Sequence, residues 1–239
     1  MTTDRWRSKT RFAFWTVCAL AVALSGRDLR SLPGFEPASE DVQARATTVG
    51  DDLGIAELDL IVWEQPLVDA LVFGDRSGGT LVLTTGLVGL LDDDALDAAM
   101  AHEIGHIRHG HGRRFGTAVL AVATLLFVLA RGASPGRTLL GRGLVTIMAA
   151  ISGILLLLAL VRRYERAADR TAVRHLDDPA ELARALLIVR TGDPDADPRT
   201  YEPSETPTVE RLLTPYPPSD ERLPRLLDLS TNGHDAGND

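Results

Sequence analysis

The sequence predicts a mainly helical fold with a small antiparallel β-sheet, an α+β domain joined to transmembrane helices. Three observations lead to this prediction. Three apolar runs carry no charge, several other segments have the residue spacing of amphipathic helices, and two short stretches have the composition of strands. With 239 residues, the chain is long enough for one ordinary domain together with membrane segments.

Charge is distributed unevenly along the chain, whose net charge is −8. Residues 27–112 carry 5 basic and 16 acidic side chains, residues 162–239 carry 11 and 16, and residues 113–161 carry five arginines and no acid. No nucleic-acid partner is expected, because binding phosphates requires clustered Lys and Arg on a free face. The single cysteine, Cys18, excludes a disulfide within the chain and a zinc site built from several cysteines.

The first apolar run, residues 12–26, follows a basic segment at residues 1–11. Its 15 uncharged residues are fewer than the roughly 20 that a spanning helix usually needs. A basic leader followed by an apolar stretch also fits a cleavable signal peptide. We interpret the run as a transmembrane anchor, because Trp15 and the flanking arginines suit the membrane interface.

The second and third apolar runs, residues 115–130 and 143–161, predict a transmembrane helical hairpin over residues 115–161. A buried hairpin in a soluble core is the alternative. Residues 151–158, however, lack the polar stripe that an amphipathic helix would show. The connection at residues 131–142 carries three arginines together with Gly and Pro, which is typical of a loop at a membrane surface.

The remaining segments follow globular patterns, and residues 27–114 and 162–229 are predicted to be two parts of one catalytic domain. Residues 230–239 are predicted to be a disordered tail. Helices are expected over residues 38–53, 92–109 and 179–190, strands over residues 58–63 and 80–85, and a loop over residues 191–209.

The most specific motif is His102-Glu103-Ile104-Gly105-His106, which fits the HExxH pattern. Residues four apart share one face of a helix, so the two imidazoles can bind one metal ion. Glu103 points in a neighbouring direction, from which it can contact a metal-bound water as a general base without binding the metal. The alternative is a pair of surface histidines on an ordinary helix.

Catalytic zinc needs three protein ligands and one open position. The histidine-ligand continuation HExxHxxGxxH fails here, since His109 stands at its glycine position and Gly112 at its last histidine position. His111 is one residue off the required spacing. The other solution is a glutamate from a later helix.

Glu165 and Asp169 lie four residues apart and therefore share a helical face. Glu165 is predicted to be the third ligand, and Asp169 a partner that accepts a proton from a ligand imidazole. An ion pair of Glu165 with Arg162 or Arg166 is the alternative. Two membrane spans separate the histidines from Glu165, and this even number returns the chain to the side of the membrane that it left.

Together, these residues resemble the HtpX-type membrane zinc metallopeptidases, which are glutamate-ligand zincins related to the CAAX prenyl proteases. The resemblance covers most of residues 55–228 and includes residues 84–87, 101–108 and 164–169. It implies a zincin-like catalytic domain, one zinc ion per chain, and polypeptide substrates. It also implies a multi-pass protein of the cell membrane, in contact with the lipid bilayer and acting in membrane-protein quality control.

Two stretches depart from the family pattern. Asp69-Ala70-Leu71 stands where the family usually has Asn-Ala-Phe, and Tyr216 stands where it usually has histidine, ahead of Arg222. A tyrosine hydroxyl and a guanidinium can both donate to an oxyanion, so Tyr216 and Arg222 are predicted to be catalytic donors. A surface ion pair of Arg222 with Asp220 is the alternative.

The strand at residues 80–85 is predicted to be an exposed edge of the sheet. An extended substrate can pair its backbone with such an edge, which provides affinity with little sequence preference. The residues expected to bind the substrate in this way are Leu81, Val82, Leu83 and Thr84.

Two other functions compete with a membrane-anchored peptidase. One is an intramembrane metalloprotease, although the acidic residues at 92–97 make the motif too polar for hydrocarbon. The other is an inactive membrane scaffold or chaperone, which the changes at Asp69 and Tyr216 favour and an intact Glu103 opposes. The side of the membrane stays open, since the basic N-terminus favours an outside catalytic domain and the arginines around residues 113 and 166 favour an inside one.

Overall fold

The computed structural model of the protein describes residues 29–31, 33–131, 139–202 and 205–232. The predicted basic segment at residues 1–11, the anchor at residues 12–26 and most of the loop between the second and third apolar runs lie outside the described residues. Beyond a 3₁₀ turn at Leu29–Ser31, the elements are β1 (Phe35–Pro37), α1 (Glu40–Asp52), β2 (Leu58–Trp63), β3 (Ala70–Asp75), β4 (Gly78–Thr84), α2 (Thr85–Val88), α3 (Asp93–His109), α4 (His111–Arg131), α5 (Leu139–Val173), α6 (Ala180–Thr191), α7 (Thr208–Leu213) and α8 (Ser219–Asn232).

The fold class is confirmed: helices dominate, and one small sheet of four described strands accompanies them in the order β1-β2-β4-β3. The sheet is mixed, however, and not wholly antiparallel. β1 pairs antiparallel with β2, β3 pairs antiparallel with β4, and the central pair β2 and β4 is parallel. The reason is that β3 and β4 form a tight hairpin, whose second strand inserts between β2 and β3.

The prediction that residues 80–85 form an exposed edge strand is wrong. β4 is paired on both sides, to β2 and to β3, so its backbone has no free edge for a substrate. Leu81, Val82, Leu83 and Thr84 are all buried, with at most 2% of each residue exposed. The edge strand is β3, whose residues 70–75 lack the polar–apolar alternation that would indicate a strand in the sequence.

α3 is the central helix of the described domain, and its ends follow from local sequence. The carboxylate of Asp92 caps its N-terminus by accepting a hydrogen bond from Ala95 N at 3.1 Å. Gly110 ends it in the left-handed conformation at φ 60°, where a side chain would be strained. Met100 and Ile104 are fully buried between the sheet and the neighbouring helices, each stabilising the fold by about 1.5–3 kcal/mol.

α4 and α5 form an antiparallel pair whose apolar side chains face outward. Both are long and apolar enough to cross a membrane, over His111–Arg131 and Gly143–Val173. Their exposed large side chains include Leu120, Leu125, Phe127, Val128, Leu144, Ile147, Met148, Ile154 and Leu156. A soluble hairpin would bury such a surface, so the pattern fits helices that face lipid.

The predicted segment boundaries fall inside continuous helices. α5 runs unbroken from Leu139 to Val173 and therefore crosses the boundary expected at residues 161 and 162. The helix that carries the apolar run also carries Glu165. At the C-terminus, α8 continues to Asn232, so the first three residues of the predicted disordered tail are helical, and residues 233–239 lie outside the described residues.

Candidate metal centre

α3 presents His102 and His106 on one face, as the spacing of four residues requires. Their Nε2 atoms lie 3.3 Å apart. His102 is 6% exposed, and the side chain of His106 is 15% exposed. The pair of surface histidines considered from the sequence is therefore excluded.

α5 brings Glu165 to this pair, and Gly105 makes the approach of the two helices possible. A Cβ atom at Gly105 would lie 3.2 Å from Ala168 Cα and 3.3 Å from Ala168 O, closer than side chains normally approach a backbone. Glycine at this position of α3 thus lets α5 pack directly on the helix that carries the two histidines.

The three predicted ligands converge in a triangle, in which His102 and Glu165 are buried and His106 is partly buried. Glu165 Oε2 lies 3.4 Å from His102 Nε2, and Glu165 Oε1 lies 3.5 Å from His106 Nε2. These donor atoms all lie within 4.8 Å of one another, as the ligands of one ion must. Two imidazoles and one carboxylate form a donor set that suits zinc and leaves a position for water or substrate, so the residues fit the metal.

Asp169 lies behind His102, where it was predicted. Its Oδ1 is 3.1 Å from His102 Nδ1, so this ring can donate a proton to the carboxylate and keep Nε2 for a metal. Arg222 Nη2 donates to Asp169 Oδ1 at 2.6 Å, and Arg225 donates to Oδ2. The carboxylate is fully buried, and these partners compensate its charge.

Arg222 is buried, and its guanidinium bonds to Asp169 with both Nε and Nη2. Its Nη2 also lies 3.4 Å from Glu165 Oε2. A surface pair of Arg222 with Asp220 does not form, since Asp220 pairs with Arg211. Tyr216 is 47% exposed and, with Arg222 and Leu223, lines a cavity of about 390 Å³ between α6 and α8.

Glu103 lies beside the triangle. Burial raises the pKa of its carboxyl to about 7, and the negative charges of Glu165 and Asp69 act in the same direction. A carboxyl whose pKa lies near neutrality can both accept and release a proton, as a general acid–base catalyst must. Asp69, which replaces the usual asparagine, therefore acts electrostatically on this residue.

The two histidines differ in their affinity for protons when no metal is bound. For His102, burial opposes protonation, but hydrogen bonds to Asp169 and Glu165 outweigh it and raise the pKa to about 10. For His106, burial dominates and lowers the pKa to about 4. A metal ion therefore has to displace a proton from His102, whereas His106 is already neutral.

Two residues near the centre were not predicted from the sequence. Arg225 follows Arg222 by three residues on α8, so its bond to Asp169 was foreseeable once that helix was known. His111 lies on α4, and its Nδ1 is 2.9 Å from the Nδ1 of His106. The turn at Gly110 brings His111 next to His106. The spacing of zinc-ligand motifs does not predict this contact.

Comparisons with known proteins agree with this fold and site. Residues 38–230 match Peptidase family M48. A protein of Acidiphilium cryptum (strain JF-5) named "Protease HtpX homolog" is 30% identical over 238 residues, covering 88% of this chain and 83% of the relative. A protein of the same name from Polynucleobacter necessarius subsp. necessarius (strain STIR1) is 24% identical over 250 residues, covering 95% and 84%.

A solved structure shares the fold. The crystal structure of S. mikatae Ste24p superposes with a TM-score of 0.62 at 18% identity, and the match covers 94% of this chain and 59% of that one. The fold and the family match together define a largely helical class of peptidase, in which His102, His106 and Glu165 could hold a metal ion. The chain belongs to Peptidase family M48, as the resemblance of its motifs indicated.

Proposed function

We propose that this protein is a membrane-bound, zinc-dependent endopeptidase that hydrolyses peptide bonds. One observation carries the proposal: three donor atoms, from the buried His102 and Glu165 and the partly buried His106, face one point beside the carboxyl of Glu103. Zinc is the metal that this donor set favours, because imidazole nitrogens and one carboxylate oxygen with an open position are its usual catalytic ligands.

When bound, zinc supplies an acidified water and polarises the scissile carbonyl. Glu103 accepts the proton of the attacking water and passes it to the leaving amine. Tyr216 is proposed as a donor to the oxyanion, with Arg222 as a second. Because Arg222 also bonds to Asp169, it has the further task of holding that carboxylate against His102.

The substrate is proposed to bind along β3 instead of residues 80–84. In the described part of the chain, β3 pairs with β4 on one side, and its other edge has no strand partner. β3 begins at Ala70, next to Asp69, whose charge acts on Glu103. An extended peptide added to this edge would therefore pass beside the catalytic carboxyl.

The proposed setting is a membrane, with α4 and α5 as two spans and membrane proteins among the substrates, consistent with a role in quality control. An intramembrane protease is disfavoured, because α3 is capped by Asp92, begins with Asp93 and Asp94, and packs against the sheet, outside the two candidate spans. An inactive scaffold would keep the metal site without cleaving peptides.

The test compares three variants in purified, detergent-solubilised protein, with an unfolded polypeptide such as casein as substrate. Glu103→Gln is expected to retain zinc, and its cleavage rate should fall by at least about 100-fold, which is the usual contribution of a general base to the rate. Glu165→Ala is expected to lose both zinc and cleavage. Asp94→Asn, an exposed change on the same helix, is the control and should match the wild type.

The contrary outcomes are distinct. Undiminished cleavage by Glu103→Gln would remove the proposed mechanism. A wild-type protein that binds zinc and cleaves no polypeptide under any of these conditions would favour the inactive scaffold.

A further inference from the structure

His111 is buried in a part of the site that the proposed mechanism does not use. It is 5% exposed and lies at the first residue of α4. Two other helices contact it, since it stacks on Tyr164 of α5 at a centroid distance of 4.2 Å and on His109 of α3 at 5.2 Å. The rings are nearly parallel, with interplanar angles of 16° and 18°.

The stack is itself held in place by a hydrogen bond on its α3 side. Thr171 donates its hydroxyl proton to the carbonyl of Ala167 at 3.0 Å. Its oxygen therefore accepts from His109 Nε2, which lies 2.9 Å away. With His109 fixed by this bond and Tyr164 stacked on the same ring, the ring plane of His111 has little freedom to rotate.

This ring presents its Nδ1 to the Nδ1 of His106, at 2.9 Å. A cation in the triangle requires the lone pair of His106 Nε2, because that atom faces His102 and Glu165. The proton of His106 is then on Nδ1, and the nitrogen of His111 that faces it has to be the acceptor. A fixed tautomer and ring orientation of this kind raise the affinity of a histidine for its metal.

We infer that His111 is the positioning residue of the second zinc histidine, and that it holds His106 in the Nδ1–H form that binds the metal. Each ligand imidazole then has its own acceptor: Asp169 for His102 and His111 for His106. One acceptor is a charged carboxylate and the other a neutral imidazole. The inference rests on the proposed function, because it requires a metal at His102, His106 and Glu165.

The test measures zinc affinity by competition with a chelator in the purified full-length protein. His111→Phe keeps a ring in the stack but has no acceptor, and it is expected to weaken zinc binding by about 10- to 100-fold. His111→Asn offers a side-chain oxygen near the position of Nδ1, and it should recover most of that loss. His175→Phe changes a histidine outside the site and is the matched control.

A second measurement does not depend on a variant that folds. In zinc-loaded wild-type protein labelled with ¹⁵N-histidine, His106 Nδ1 should carry the proton, and a coupling across the hydrogen bond should connect it to His111 Nδ1. Two results would overturn this inference and leave the proposed function intact. One is wild-type zinc affinity in His111→Phe, and the other is a proton on His106 Nε2 in the zinc-loaded protein. Failure of the wild type to bind zinc would overturn the proposed function as well.

Discussion

At the scale of single residues, the buried carboxylate of Asp169 accepts hydrogen bonds from two arginines and faces the Nδ1 of His102. This arrangement connects three helices, since His102 lies on α3, Asp169 on α5 and the arginines on α8. The charges compensate one another only while all partners remain. Removing the carboxylate would leave two guanidinium groups without their shared counter-charge.

Asp169→Asn is therefore expected to destabilise the fold by about 3–5 kcal/mol, the usual cost of breaking a buried charge network from one side. It should also weaken zinc binding by about 10- to 100-fold, because His102 loses its charged acceptor. Thermal unfolding and chelator competition measure the two effects. Asp177→Asn, an exposed carboxylate close in sequence, is the control, and equal behaviour of the two variants would contradict the prediction.

The second prediction at this scale concerns pH. Glu103 acts as a base only as a carboxylate, so the cleavage rate should fall as acid protonates it. Burial raises its pKa to about 7 in the metal-free site, and a bound cation lowers it again towards the ordinary 4.5. The acid limb of kcat/KM should therefore have its midpoint between these two values.

Asp69→Asn provides the internal check on this assignment. The charge of Asp69 raises the pKa of Glu103, so its removal should move the acid limb to lower pH. If the acid limb of the kcat/KM profile stays at the same pH in this variant, or moves to higher pH, a group other than Glu103 controls it.

At the scale of elements, the contact between α3 and α5 forms the site. It depends on Gly105, at which any side chain would meet the backbone of Ala168. Because Glu165 lies one turn before Ala168 on α5, a small increase in the distance between these helices moves the third ligand away from the histidines.

Gly105→Ala should lower the melting temperature and weaken zinc binding, even though alanine favours a helix by about 1 kcal/mol over glycine. Gly116→Ala on α4 is the matched control, since a Cβ there would meet nothing within 4 Å, and the variant should be neutral or more stable. If Gly105→Ala raises the melting temperature as much as the control does, the contact is looser than described.

The elements differ in how well the sequence predicted them. β2 was predicted with its observed bounds, and α3 within one residue, because capping residues and hydrophobic spacing act locally. β3 was not predicted, because its apolar residues 70–73 follow one another without the polar–apolar alternation of a half-buried strand. Strand order was equally out of reach, because insertion of β4 between β2 and β3 is decided by pairing between distant segments.

At the scale of the whole molecule, the candidate metal centre is formed by two parts of the chain that the apolar hairpin separates. His102 and His106 precede α4, and Glu165 follows the apolar part of α5. Under the proposed two-span topology, their convergence in one triangle requires both flanks of the hairpin on the same side of the membrane.

Cysteine labelling in intact membrane vesicles tests this topology. Each new cysteine is introduced into the Cys18→Ser variant, which has no other cysteine. Ser77→Cys and Thr200→Cys, both exposed positions of the catalytic part, should react with an impermeant reagent from the same side. Arg131→Cys, an exposed position at the end of α4, should react from the opposite side. Reaction of all three from one side would contradict the two spans.

The sequence by itself determined the residues on which the proposed chemistry depends: the HExxH pair, the later Glu165 with Asp169, and the apolar runs between them. These features depend on local periodicity and on residue type, which a linear chain displays directly. Only the tertiary structure decided which strand has a free edge, that Arg222 is buried against Asp169, and that His111 faces His106. Each of these three features is a contact between different secondary-structure elements. The distances between such elements are set by how they pack in the folded protein, and residue type and local spacing do not determine them.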